Sequence, residues 1–484
     1  MNTPAPRFRS RSVLGRVAIG LCILAPALAW ASAEGGHQDP FAFILLELAI
    51  VVAVAMAGRS AARSTGQPTV LGELLAGVLL GNLGVWLGLP FFELVMNMDV
   101  AGAVVREAWT TGTSTLEAAQ GLFPNAQGAE ALVIGLLSGP DAPRLIIMTI
   151  AIWMFSNFGV ILLLLMVGLE SSVDEMKQSG LNALLVAFIG AALPMLLGYG
   201  AGVLLLPDAG TAAHLFLGAT LTATSVGITA RVLKDMGKLG MPEAKIILGA
   251  AVIDDILGLV ILAVVVGIIA SGTFQFAEVG RIALLSLAFI GVVMVLGERL
   301  AALGVRVFAR IEQQHLKLLF PIGLAFVLAW LANQIELATI VGAFAAGLVL
   351  HDVYFADADS KDTTIEQTIA PLEATFAPVF FVLMGMQVNL ATFTDPATIG
   401  IAGALCVVAI ASKAIAGIAA GAGMDRLSVG LAMVPRGEVG LIFANIGKAV
   451  GVVSDSIFAA IVMMVMVTTF IAPIALRWSL TRQG

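Results

Sequence analysis

The chain has 484 residues, 59% of them hydrophobic and 12% charged, with a formal net charge of −7. A mean hydropathy of +1.02 excludes a soluble globular protein and points to an all-α polytopic membrane protein set in a lipid bilayer. Two cysteines, Cys22 and Cys406, and four scattered histidines provide neither a disulfide framework nor metal-ligand spacing, so no cofactor is expected, nor any nucleic-acid partner.

The N-terminus reads as a targeting segment. RFRSRSVLGR is a basic region, VAIGLCILAPALAW a short apolar core, and Ala31-Ser32-Ala33 a small-residue cleavage pattern, which makes residues 1–33 a signal peptide. Thirteen apolar spans follow, at 41–57, 68–88, 146–168, 181–205, 213–234, 246–270, 280–296, 317–333, 337–351, 372–390, 398–420, 426–448 and 454–476. Residues 91–145 form an insertion between the second and third spans. In it, REAWTTGTSTLEAAQGLF suits a surface helix and ALVIGLLSG is too short to cross.

Alternating from an external N-terminus puts Arg59, Arg63, Lys234, Lys238, Lys245, Arg306, Arg310 and Arg426 on the cytoplasmic side. Only Arg106, Arg144, Arg281 and Lys448 are left outside. By the positive-inside rule the topology is N-out and C-in across the inner (plasma) membrane.

The sixth span, IILGAAVIDDILGLVILAVVVGIIA, carries Asp254 and Asp255 near its middle. An ionised carboxylate at that depth costs at least about 2.5–3.5 kcal/mol, and two neighbours repel each other besides. The compensation can be a basic side chain, a metal ion, or protons that come and go. Two basic residues lie deep in spans: Lys413 in the eleventh and Arg436 in the twelfth. Lys413 is the natural partner for one aspartate. Arg436 has Glu438 two residues away and is read with it as a structural ion pair stapling broken backbone.

Two spans look interrupted. The fifth places Thr220, Thr222, Thr224, Ser225 and Thr229 beside Gly218 and Gly227, and the twelfth has Pro435 and Gly437. Such segments at membrane depth line sites where hydroxyls and freed carbonyls coordinate an ion. The bland alternative is hydroxyls bonding back to their own helix. With the seventh span as a linker, spans 1–6 and 8–13 make two six-helix halves. The two broken spans are then each the fifth of their half, and they run in opposite directions. This is the pattern of inverted repeats with broken helices crossing at the midplane.

QPTVLGELLAGVLLG, LLLLMVGLESS, TATSVGITARVLKD, AAVIDDILGLV and MVPRGEVGL together resemble the monovalent cation:proton antiporters, closest to the electrogenic bacterial Na⁺/H⁺ antiporters of the NapA type. The resemblance runs from about Phe41 to Arg477. It implies a secondary transporter rather than an enzyme, exchanging Na⁺ or Li⁺ for protons as a homodimer, with an elevator-like movement of a core domain. It further implies that Asp255 carries cation and proton, with Na⁺ bound there, that Asp254 pairs with Lys413, and that Thr224 and Ser225 supply oxygens near the cation.

The residue chemistry is compatible with this, because a hard cation and a proton compete for one carboxylate. A K⁺/H⁺ antiporter shares the pattern; only eight residues follow the last span, which argues against the K⁺-efflux type with its nucleotide-binding domain. A Na⁺-coupled organic solute carrier would not need two titratable aspartates beside a lysine. An intramembrane aspartyl protease needs its aspartates on facing helices, whereas adjacent residues on one helix point about 100° apart.

Overall fold

The computed structural model describes residues 40–482 apart from 66, 68, 125, 170–172, 272–275, 312–314, 336, 338, 356–362, 392–395, 437–439, 441–442, 445–446 and 448–451. The expected signal peptide at 1–33 lies outside the described residues. All regular structure among the described residues is helical.

In chain order the helices are α1 (Pro40–Ser64), α2 (Thr69–Trp86), α3 (Pro90–Met96), α4 (Met98–Thr111), α5 (Thr115–Leu122), α6 (Ala129–Leu137), α7 (Ala142–Leu169), α8 (Val173–Leu205) and α9 (Thr211–Thr220). They continue with α10 (Val226–Asp235), α11 (Pro242–Ser271), α12 (Phe276–Phe308), α13 (Leu316–Gln334), α14 (Thr339–Leu348), α15 (Ile365–Met386), α16 (Pro396–Ala416), α17 (Arg426–Ala432) and α18 (Asp455–Thr481). Proline opens α1, α3, α11 and α16, the position where its missing N–H costs nothing and its fixed φ suits the helix.

Helical structure occurs in the described part of each expected span; of the twelfth, residues 437–439, 441–442, 445–446 and 448 are not described. Among the described residues α1, α2, α7, α8, α13, α15, α16 and α18 are long and apolar enough to cross a bilayer. The fifth span is divided between α9 and α10, and the twelfth begins as α17 and leaves helical geometry at Met433. The seventh helix of the count runs on to Phe308, well past the expected end at 296, because charged residues on its polar face do not stop a helix.

The chain divides into two compact units. The first comprises the described residues up to Ser156 together with Pro378–Asn389. Here α1 and α2 meet so closely that a Cβ on either Gly58 or Gly72 would collide with the other's carbonyl. The 91–145 insertion belongs to this unit's core rather than standing apart. Phe91, Leu94, Val104, Ala119 and Val133 pack with Val51 and Val382.

One expectation for the insertion needs correcting. The stretch 106–123 is not one surface helix. Gly112, with φ 69°, ends α4, and Ser114 starts α5 with a capping box to Glu117, two local signals that outweigh helix propensity on either side.

The second unit is Asn157–Ala377 with Leu390–Gly484. Within it α8 is the organising helix, packed against α9, α11 and α16, and α16 also packs on α18.

Candidate functional site

The break in the fifth span covers residues 221–225. Its hydroxyls divide into two groups. Thr220 and Thr222 donate back to the carbonyls of Phe216 and Ala219, at 2.9 and 2.7 Å, which is the bland behaviour of a helical threonine. Thr224 and Thr229 instead reach the twelfth span, donating to the Met433 carbonyl at 3.3 Å and the Ala432 carbonyl at 2.6 Å. The backbone joins in, with the Ser225 N–H donating to the Pro435 carbonyl at 2.8 Å. The two interrupted spans therefore cross at their breaks, each satisfying backbone groups that the other's interruption frees.

Arg436, fully buried, donates through Nη1 to the Ala223 carbonyl inside the first break. Thr469 of α18 donates to the Arg436 carbonyl. Arg436 thus bonds to the backbone of the fifth span. Glu438, its expected partner, lies outside the described residues. A guanidinium set just past the C-terminus of α9 also complements the partial negative charge of that helix end.

Lys413 sits in the last turn of α16 and Asp254 at mid-length of α11. The Lys413 ammonium donates to both carboxylate oxygens of Asp254, at 3.0 and 3.2 Å, with both side chains sealed from solvent. Space for the ammonium comes from Gly190 of α8: a Cβ there would already lie 3.5 Å from Nζ, so a larger side chain would displace the lysine. Arg436 acts electrostatically on Asp254 as well.

Asp255 faces another way. It lines a cavity of about 10 Å³ whose other walls are apolar, among them Leu164, Val226, Val252, Ile340 and Phe344. That is room for about one water molecule. Val226, one wall of the cavity, opens α10 directly after Ser225, so the break carrying Thr224 and Ser225 is next to that wall in the chain. The arrangement sets a carboxylate locked to a lysine next to one that borders a small, otherwise apolar chamber.

A model of the transmembrane sodium/hydrogen exchanger family matches residues 130–482. The chain belongs to the sodium/hydrogen exchanger family. Over 441 residues, 90% of this exchanger and 89% of the relative, it is 34% identical to the high-affinity Na⁺/H⁺ antiporter NhaS3 of Synechocystis. It is 32% identical to the Na⁺/H⁺-K⁺ antiporter GerN of Bacillus cereus over 355 residues, 72% of this chain and 88% of that one. In fold it resembles the sodium proton antiporter MjNhaP1 of Methanocaldococcus jannaschii, with a TM-score of 0.54 over 91% of this chain and 99% of the other, at 14% identity. The exchanger is a multi-pass membrane antiporter of cations and protons, and not an enzyme.

Several buried charges escaped the sequence reading. Arg59 was assigned to a cytoplasmic segment, yet it ion-pairs with Glu73, whose side chain is wholly buried. Arg231 and Lys234 of α10 share Glu373 of α15, at 2.8 and 3.4 Å, and Arg231 also holds Asp235. Lys413 and Arg436 are therefore not the only basic groups buried among the helices. The available signal was a lone glutamate inside each apolar run, in LLELAI, LGELLAG and PLEATF.

Proposed function

We propose that this exchanger moves Na⁺, with Li⁺ as a second substrate, against protons in an electrogenic cycle. The observation that carries the reading is the contrast between two adjacent carboxylates: Asp254 bound on both oxygens by Lys413, Asp255 turned toward a cavity beside the broken crossing.

In this mechanism Asp255 holds either a proton or the cation. Thr224, Ser225 and carbonyls freed by the breaks complete the oxygen shell. Asp254 and Lys413 pair in the proton-loaded state. Cation arrival at Asp255 draws Asp254 away from the lysine, which then loses its proton, since a buried ammonium without its carboxylate is destabilised. More protons than cations move per cycle. The half-helix ends at the crossing supply fixed partial charges that need no reorganisation when the ion binds. The chain works as a homodimer in the inner membrane, N-terminus outside and C-terminus cytoplasmic, and alternates access by elevator-like movement.

A K⁺/H⁺ exchange reading is favoured by one observation, that GerN is named for K⁺ as well as Na⁺; carboxylates, hydroxyls and carbonyls serve either ion. Proton flux in proteoliposomes, with Na⁺, Li⁺ and K⁺ in turn across pH and imposed voltage, tests both. Na⁺- and Li⁺-driven flux that accelerates with voltage supports the proposal. Flux driven by K⁺ alone, or indifferent to voltage, overturns it.

A further inference from the structure

The first unit holds a buried acid that ion exchange does not use. Glu47 lies on α1, about two turns in from Pro40. It is 7% exposed, and neither of its carboxyl oxygens finds a hydrogen-bond partner among the described residues.

Glu47 faces a cavity of about 40 Å³ walled by Phe43, Leu80, Phe91, Phe92 and Met148, space for about three water-sized groups. Phe91 and Phe92 meet edge to face with ring centroids 5.2 Å apart. The outer face of Phe43 already receives a cation, the Arg144 guanidinium, 3.7 Å from the ring centroid. On the same stretch of α1, Phe41 and Leu45 are exposed.

A charge inside such walls is relieved either by a proton or by a cation that arrives with its own donors. A bare Na⁺ fits poorly, since the chamber offers one carboxyl group and no further oxygens. A primary ammonium fits well. Its three N–H groups meet the two unsatisfied oxygens, the aromatic rings accept its charge, and a hydrocarbon tail continues the apolar lining. The chamber size admits an unbranched head and rejects a tetraalkylated nitrogen.

We infer that Glu47, with Phe43, Phe91 and Phe92, forms a binding site for a primary alkylammonium, distinct from the Asp255 chamber. The test is calorimetric titration of n-hexylammonium into the full-length protein in detergent, using wild type, Glu47→Gln, Leu80→Phe and Asp255→Asn, with 1-hexanol and tetrabutylammonium as controls. Wild type and Asp255→Asn bind saturably; Glu47→Gln and the cavity-filling Leu80→Phe lose about tenfold or more in affinity; neither control compound binds. Glu47→Gln retains cation/proton exchange, which certifies its fold. Equal affinity in wild type and Glu47→Gln, loss of binding in Asp255→Asn, or equal binding of 1-hexanol overturns the inference.

Discussion

Two buried acid–base pairs in this exchanger share their chemistry and differ in their surroundings. Glu73 and Arg59 join α1 to α2 beside the Gly58–Gly72 contact, where both helices are continuous and backbone meets backbone. Asp254 and Lys413 join α11 to α16, and the neighbour of Asp254 borders a cavity one wall of which, Val226, directly follows the break in the fifth span. A buried ion pair by itself marks no function, because either setting compensates the same desolvation. What distinguishes the second pair is what adjoins it: a further carboxylate, broken helices and a chamber. On the proposed mechanism the first pair is a strut, and the second can be exchanged.

The largest expected effect attacks the second setting. Asp255→Asn reduces cation-driven proton flux in proteoliposomes to background while the protein stays folded in detergent. Preserved flux would mean that Asp255 is not the exchanging group. Next, Glu73→Ala takes the carboxylate from the partly buried Arg59 and costs about 1–3 kcal/mol of stability, read as a fall in the thermal unfolding midpoint. Flux per folded molecule is unchanged, and a loss of flux with unaltered stability would erase the distinction between strut and site. Lys413→Gln comes third. Exchange persists, but its pH profile shifts and its acceleration by imposed voltage falls, whereas a mere strut would alter stability alone.

How much of this was legible in the sequence follows from the same contrast. The Asp254–Asp255 pair, Lys413 and the two interrupted spans stood out because each violates the rule that lipid-embedded helices are apolar and continuous. Arg59, Glu73, Glu373 and Glu47 did not stand out. A single glutamate near the end of an apolar run reads as an ordinary boundary, and only packing shows Glu73 wholly buried against an arginine. Nor could spacing tell which threonines of the fifth span serve their own helix: Thr220 and Thr222 do, while Thr224 and Thr229 bond to the twelfth. That division depends on where the chain leaves helical geometry, a tertiary outcome of the crossing. The division of the 106–123 stretch into two helices was readable, since Gly112 and the Ser114–Glu117 capping box are local signals.

Two smaller effects sharpen the comparison. Thr229→Val removes a hydrogen bond from the crossing and costs about 1 kcal/mol. If the crossing positions the site, cation affinity falls with it; unaltered affinity would detach the crossing from binding. The smallest effect lies in the insertion. Hydrogen bonds from the Ser114 backbone and hydroxyl hold the exposed Glu117 carboxyl below its ordinary range. A depressed folded value gives stability present above the unfolded pKa and lost as pH falls through the folded one. The protection of α5 amides relative to an unstructured chain therefore falls only in acid, below the usual carboxylate range, and Ser114→Ala lowers that protection already at neutral pH without changing ion flux. Altered flux in that variant would give the insertion a part in transport.

The central claim is the unequal division of work between neighbouring aspartates, and its most direct measurement is proton release on cation binding. Na⁺ is added to detergent-solubilised protein in weak buffer with a pH-sensitive dye. Wild type releases protons in a saturable, cation-dependent manner, Lys413→Gln releases fewer, and Asp255→Asn releases none. Release from Asp255→Asn equal to wild type would contradict the account.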